Sequence, residues 1–497
     1  MFGTDGVRGV ANSKLDARLA FRLGFAGAKV LAGNKDQGIP QCPADANDKD
    51  GFRSPAGAND RDSFHCPAGA NDKDGSGIFA SSGVRKGRIL IGRDTRISGT
   101  MLESALAAGI TAAGYDAMLA GVIPTPGIAY VTRTSGFDAG VMISASHNSF
   151  EYNGIKFFSG DGYKLPDAVE DEIEKIISDF DNYYADLPVA GNLGVVEEFP
   201  QAMKFYTDYL IRSLCPSASG LKIVLDCANG ASSDYASTVF GLTGAQCIMI
   251  GDSPDGININ RDCGSTHLEL LSATVVKEGA DMGFAFDGDA DRFLACDDKG
   301  NLLDGDMIMS ALALSLKEQG RLKDDTLVVT VMSNLGVDIM AKDKGINLVK
   351  TKVGDRYVIE AMREGSYVIG GEQSGHVILS DYSTTGDGML TGLAFLDAVV
   401  RSGKSASELC SCVNILPQVL IPAHVEDGSK QTAMEDEEVR ALITRYEEEL
   451  GDTGRILVRP SGTEPVIRVM LEGDDPDRIG NMAKDIAGLI ENKYGLN

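Results

Sequence analysis

Residues 282–292 read Met-Gly-Phe-Ala-Phe-Asp-Gly-Asp-Ala-Asp-Arg. The short apolar run Met282–Phe286 predicts a buried strand, and its abrupt end in three alternate carboxylates predicts a loop. Similar runs recur on either side, at Arg88–Gly92, Gly140–Ser144, Leu221–Asp226, Leu327–Val331 and Tyr367–Gly370. Between them lie helical patterns such as Leu15–Leu31, whose Leu15, Leu19, Leu23 and Val30 fall near one face, with Asn12 and Ser13 as expected caps. Strands separated by helices predict α/β layers with mainly parallel or mixed sheets. The last stretch differs: strands at Ile456–Val458 and Val466–Leu471, then a helix near Asp477–Glu491, predict a small α+β domain. The expected boundaries give domains at 1–186, 187–300, 301–413 and 414–497.

Length and composition agree. At about 150 residues per domain, 497 residues make three to four domains. Hydrophobic residues at 43% and charged residues at 24% suit a globular chain. No apolar run approaches the ~20 residues that span a bilayer, and the polar start predicts no secretory signal, so a cytoplasmic protein is expected. Seventy-two acidic against forty-six basic residues leave a formal charge of −26, which excludes nucleic acid and anionic membrane as expected partners. Nine cysteines without CxxC pairs point to a reducing compartment.

One segment breaks the alternation. From Pro43 the chain repeats as PADANDKDGFRS, PAGANDRDSFHC and PAGANDKDGSGI. A calcium loop is weighed against it and fails, because Lys49 and Asp50 stand where an Asp or Asn and a Gly are needed. With so little apolar surface, 35–86 is expected to be a disordered surface insertion.

Four kinds of loop carry chemistry. Asp287, Asp289 and Asp291 can converge on one hard cation, with Mg²⁺ favoured by an oxygen-only donor set. A solvated acidic turn is the plain alternative, but three aspartates at the end of a buried strand repel one another unless a cation compensates. Arg292 would stand beside the ion and hold a phosphoryl group. Ser144-Ala-Ser146-His147-Asn148 follows the strand Gly140–Ser144, with Lys156 close behind. A serine at a strand end can be a nucleophile, and Lys156 a base if positive neighbours lower its pKa; an ordinary Asn/Ser turn stays open. Arg459-Pro-Ser461-Gly462-Thr463-Glu464 offers a guanidinium, hydroxyls and free backbone N–H groups to a phosphate. Arg8, Arg93 and Arg96 sit on glycine-rich loops, as anion holders or as salt-bridged structural arginines. Finally, Glu372-Gln-Ser374-Gly-His376 clusters polar groups able to hold sugar hydroxyls, or forms a solvated loop.

Taken together, FGTDGVRG at 2–9, ISASHN at 143–148, FDGDADR at 286–292, GEQSGH at 371–376 and RPSGTEP at 459–465 resemble the α-D-phosphohexomutases, in their glucosamine branch. The resemblance covers everything but the insertion. It implies four domains around a central cleft, three of related α/β topology with mixed sheets and a smaller C-terminal α+β domain. It implies an isomerase that interconverts glucosamine 6-phosphate and glucosamine 1-phosphate through a phosphoserine at Ser146 and a 1,6-bisphosphate. Asp287, Asp289 and Asp291 become the Mg²⁺ ligands, with the Ser146 phosphate as fourth anchor, and Lys156, Arg8 and Arg292 assist transfer. Substrate would be held by His147, Glu372, Ser374 and His376, by Lys352, Asp355 and Arg356 of KVGDRY, and by Arg459, Ser461, Gly462, Thr463 and Arg468 at the distal phosphate. A glucose or glucosamine 1,6-bisphosphate primer and a homodimer are also implied. Two departures stand out. Ser149 replaces the family's usual Pro after His-Asn, which is expected to loosen the serine loop. The chain also begins a few residues short of the usual start, so its first strand is expected to lack a partner. The rivals are the same chemistry on mannose or glucose phosphates, a haloacid-dehalogenase-type phosphatase with Asp287 as nucleophile, and a non-catalytic sugar-phosphate binder.

Overall fold

Buried apolar runs become strands at every position expected of them. The computed structural model describes residues 1–3, 6–32, 87–185, 187–426, 428–461 and 464–495. The repeat segment 35–86, Gly462 and Thr463 lie outside the described residues. Strands β1 (Val7–Val10), β2 (Arg88–Arg93), β3 (Asp116–Val122), β4 (Ala139–Ile143), β5 (Tyr152–Ser159) and β6 (Val196–Glu198) form one sheet in the order β1-β5-β4-β2-β3-β6. A second sheet holds β7 (Lys222–Asp226), β8 (Gln246–Ile250), β9 (Met282–Phe286), β10 (Phe293–Asp297) and β11 (Leu302–Leu303), in the order β11-β10-β9-β7-β8. A third holds β12 (Thr326–Thr330), β13 (Asn347–Thr351), β14 (Ile369–Gly371) and β15 (Val377–Leu379), in the order β13-β12-β14-β15. The last is β16 (Gln418–His424), β17 (Gly454–Pro460) and β18 (Val466–Gly473), all antiparallel.

The first three sheets share a local plan. In each, a strand lies parallel to one neighbour and then turns back antiparallel on itself: β4 pairs with β2 and β5, β9 with β7 and β10, β14 with β12 and β15. The three turns so created carry Ser146, the aspartate trio and Glu372. All three belong to one compact unit, Met1–Val331 with Val349–Cys410; Met332–Leu348 and Ser411–Asn497 form a second. No helix among the described residues is long and apolar enough to cross a membrane.

Packing around the first sheet explains its glycines. Helices Ala17–Leu31 and Gly99–Ala112 approach so closely that a Cβ on Gly109 would lie 2.0 Å from the Phe21 carbonyl oxygen. Only glycine fits there without moving a backbone. Around this contact Phe25, Leu106, Val141 and Ile155 are fully buried.

Two expectations are corrected. The first helix is capped by Asp16, whose carboxylate accepts from the Leu19 N–H at 2.8 Å, not by Asn12 or Ser13. Leu15, counted as helical, is buried just before the helix, and Asn12 takes a left-handed turn with φ 59°. The Asp16→Ala variant is expected to lose about 1 kcal/mol, read as a lower urea midpoint with unchanged slope. The first strand also has a partner: β1 pairs with β5 along its length, from Val7 opposite Ile155 to Val10 opposite Tyr152.

Candidate active site

The turn after β4 places Ser146 in the left-handed region, φ 54°, with the side chain buried. Its hydroxyl donates to Asp287 Oδ2 at 2.6 Å, and His147 Nδ1 lies 3.3 Å away. Burial, with Arg292 and Arg8 nearby, brings the His147 imidazole down to about 4, so it is neutral near pH 7. On β5, Lys156 is also buried; its ammonium lies 2.8 Å from Asp289 Oδ2 and 3.6 Å from Asp291 Oδ2. Both of these partners are carboxylates of the aspartate trio, and Lys156 stands as a counter-ion to them. Arg8 lies on β1 opposite Gly154.

The turn after β9 gathers Asp287, Asp289 and Asp291 so that one carboxylate oxygen from each lies within 4.8 Å of the others. All three are buried. Asp289 Oδ2 accepts from Thr125 Oγ1 at 2.6 Å as well as from Lys156, and the Arg292 N–H donates to Asp287 Oδ1 at 3.2 Å. Burial, then the charges of Asp291 and Asp289, push the Asp287 carboxyl well above the carboxylate range. Burial acts the same way on Asp291, but Lys156, His376 and Arg292 outweigh it and hold that carboxyl far below. Meanwhile Asp289 Oδ1 and Asp291 Oδ1 are buried with no hydrogen-bond partner. Crowded, mutually repelling oxygens left unsatisfied are the mark of a site completed by a cation, and an all-oxygen set suits a hard divalent ion.

The turn after β14 reaches this centre. The Phe293 N–H donates to the Gly375 carbonyl at 2.9 Å, and His376 Nδ1 lies 3.6 Å from Asp291 Oδ1. Glu372 Oε1 accepts from the Gly354 N–H at 3.0 Å, which joins this loop to KVGDRY. The Ser374 hydroxyl has no hydrogen-bond partner. Within KVGDRY, Asp355 pairs with Lys164, and its carboxylate lies 3.6 Å from His376 Nε2. Arg356 is committed to the first layer: it pairs with Asp167 and donates to the Leu165 carbonyl at 2.9 Å. Lys352 is exposed, its ammonium 5.7 Å from the centre of the Tyr357 ring.

In the second unit, Arg459 on β17 stands directly opposite Arg468 on β18. Burial and the Arg468 charge both lower the Arg459 guanidinium. Like charges paired across strands are unfavourable until an anion sits between them. Ser461 follows, buried, with its carbonyl accepting from Lys430 Nζ at 2.7 Å.

The chain matches family models described as phosphoglucomutase/phosphomannomutase alpha/beta/alpha domains I, II and III at residues 74–184, 204–300 and 304–415, and the C-terminal domain at 420–489. The chain belongs to the phosphoglucomutase/phosphomannomutase family. Relatives in it include the phosphoglucosamine mutase of Clostridium beijerinckii, 49% identical over 99% of both chains. That of Acetivibrio thermocellus is 47% identical over 100% of this chain and 99% of the relative. Among solved structures, a family protein from Burkholderia thailandensis superposes with TM-score 0.74 at 22% identity, covering 100% of this chain and 99% of that one. An N-acetylphosphoglucosamine mutase from Aspergillus fumigatus, in complex with GlcNAc-6P and magnesium, gives TM-score 0.55 at 18% identity over 74% and 92%. The dehalogenase-type phosphatase finds no support in these matches.

Beside the family's motifs, the structure brings in residues that the sequence did not single out. Thr125 donates to Asp289 through its hydroxyl and, through its N–H, to the Asp289 carbonyl at 2.9 Å. Asn260 reaches the serine loop from the second sheet. Of the two readings of Arg93 and Arg96, the structure supports the salt-bridged one: Arg93 Nε donates to Glu103 at 3.1 Å, and Arg96 is buried against Asp94 and main-chain carbonyls.

Proposed function

We propose that the chain interconverts glucosamine 6-phosphate and glucosamine 1-phosphate through phosphorylated Ser146. The observation that carries this reading is the Ser146 hydroxyl 2.6 Å from Asp287 of the buried aspartate trio, in a family chain nearly half identical to relatives named phosphoglucosamine mutase. Phosphoserine 146 gives its phosphoryl group to a sugar hydroxyl: the bond from Ser146 Oγ to phosphorus breaks, one from the sugar oxygen forms, and the proton leaving the sugar hydroxyl is balanced by the one that the freed Ser146 oxygen takes up. The resulting 1,6-bisphosphate turns end for end and returns its other phosphoryl group to Ser146.

Such a transfer asks mainly for positioning and charge stabilisation. Asp287, Asp289 and Asp291 are the groups that would hold Mg²⁺, which when bound supplies positive charge against the phosphoryl oxygens. Lys156 and Arg292 balance the cluster, Arg8 adds positive charge nearby, and His147 stays neutral beside the serine. Glu372, Ser374 and His376, with Lys352, Asp355 and Arg356 of the neighbouring loop, are the proposed sugar-binding set. Ser374 brings an unpaired hydroxyl to that task. Arg459, Ser461 and Arg468 are proposed to hold a phosphate. A glucose or glucosamine 1,6-bisphosphate is proposed to load Ser146 before the first cycle.

Relative kcat/KM on glucosamine, glucose and mannose 6-phosphates tests the reading. Glucosamine is expected to lead by at least about tenfold, which is 1.4 kcal/mol of differential transition-state binding. Preference for mannose or glucose would move the chain to another branch, and release of free phosphate without isomer would overturn the mutase reading.

A further inference from the structure

The left-handed φ of Ser146 is one that side-chain-bearing residues seldom hold unless neighbours impose it. Here the neighbours are two donors gripping two carbonyls. Arg96 Nη2 donates to the Ser146 carbonyl at 3.1 Å and to the Asn148 carbonyl at 2.5 Å. Asn260 Nδ2 donates to the same pair, each at 2.9 Å. The Ser146 N–H donates to Ser144 Oγ at 2.9 Å, and that oxygen lies 3.4 Å from Arg96 Nη1, whose firm partner is Asp94. Both main-chain polar groups of the serine are therefore spoken for.

The two donors come from different layers. Arg96 follows β2 of the first sheet, and Asn260 follows β8 of the second, with its own N–H donating to the Ala228 carbonyl at 2.9 Å. Both are buried. The amide orientation of Asn260 is set by the contacts, since the reverse would aim its oxygen at two carbonyl oxygens. The acidic loop closes on the same point: a Cβ at Gly288 would lie 2.7 Å from the Ser146 carbonyl oxygen and 3.0 Å from Asn260 Nδ2. Gly288 thus has to be glycine for the aspartate trio to back directly onto the clamp.

We propose that Arg96 and Asn260 are positioning residues for phosphoryl transfer, which hold the Ser146 main chain from two sheets so that its oxygen stays aligned with the aspartate trio whether or not it carries phosphate. The proposal rests on the mutase reading above. Both residues act through the serine main chain, so their loss is expected to lower kcat and leave KM nearly alone. A misplacement of about 1 Å costs on the order of a hundredfold in rate.

Asn260→Asp and Asn260→Ala test this. The aspartate keeps the volume but sets an acceptor against two acceptors; the alanine merely removes the donor. The expected order of kcat is Asn, then Ala, then Asp, with Asp lowest by about a hundredfold and KM for glucosamine 6-phosphate within about threefold. Ser146 should also take up phosphate from glucose 1,6-bisphosphate more slowly, by intact mass, yet reach the parent's final stoichiometry. A role in packing alone predicts that Asp matches Asn and that Ala is worst; that order overturns the clamp, as does a raised KM with kcat unchanged. Should Asn260→Asp not fold, Asn260→Ala carries the same split between kcat and KM. A parent protein that neither loads Ser146 nor turns over overturns the mutase reading itself, whereas an active parent with Asn260→Asp unaffected overturns the clamp alone.

Discussion

Ser146→Ala is expected to abolish sugar-phosphate interconversion, by at least about 10⁴-fold, while leaving the fold intact. The substitution removes one oxygen from a buried side chain and opens no cavity of consequence. The left-handed backbone is no harder for alanine than for serine, because both carry a Cβ, and the carbonyl grip of Arg96 and Asn260 does not involve the side chain. Asp287 loses a donor at 2.6 Å, one hydrogen bond whose removal costs about 1–3 kcal/mol. Activity is another matter, since no neighbour replaces the oxygen that lends and reclaims phosphate. Intact mass after incubation with glucose 1,6-bisphosphate separates the cases: the parent gains about 80 Da, one phosphoryl group, and the variant gains none. A variant that still interconverts the sugar phosphates would place the nucleophile elsewhere.

How much of this could be read from sequence depends on distance along the chain. The aspartate trio was legible because its chemistry is local: a buried strand ends and three carboxylates follow within five residues. Ser146 was half legible, as a hydroxyl after a strand, and only the fold shows it meeting Asp287 across 141 positions. Thr125 was invisible, since Pro-Thr-Pro reads as a helix start and its partner Asp289 lies 164 positions away. Asn260 sits in an irregular polar stretch after β8 that carries no periodic signal. Arg96 carried an ambiguous signal, because an arginine on a glycine-rich loop reads equally as an anion holder or a structural arginine until its guanidinium is seen to be spent on Asp94 and two carbonyls. Strand β16 went unread for a different reason. Pro422 stands in its middle and most of its residues are at least partly exposed, a pattern tolerated because β16 is an edge strand paired only with β18.

Asp289→Asn is expected to separate metal binding from folding. In the parent, Asp289 Oδ2 is held by Lys156 and Thr125, whereas Oδ1 is buried and unsatisfied among the other carboxylates. Asparagine fills the same volume. Its carbonyl can keep the Lys156 and Thr125 bonds, and its amide then turns toward Asp287 and Asp291, where it donates instead of repelling. Without metal, the variant should therefore unfold at the same temperature as the parent or higher. With metal the order reverses: an ion that binds only the folded parent adds about 2.7 kcal/mol at a hundred times its Kd, and the variant, short of one charged ligand, gains little of this. Turnover should fall by at least about a hundredfold, because the positive charge that the trio holds near the phosphoryl oxygens is lost. Thermal unfolding with and without Mg²⁺ reads the first effect, and turnover the second. A variant that keeps the full Mg²⁺-dependent rise in unfolding temperature, or turns over like the parent, would remove Asp289 from the metal site; one that unfolds earlier even without metal would show the carboxylate to be a structural counter-ion to Lys156 instead.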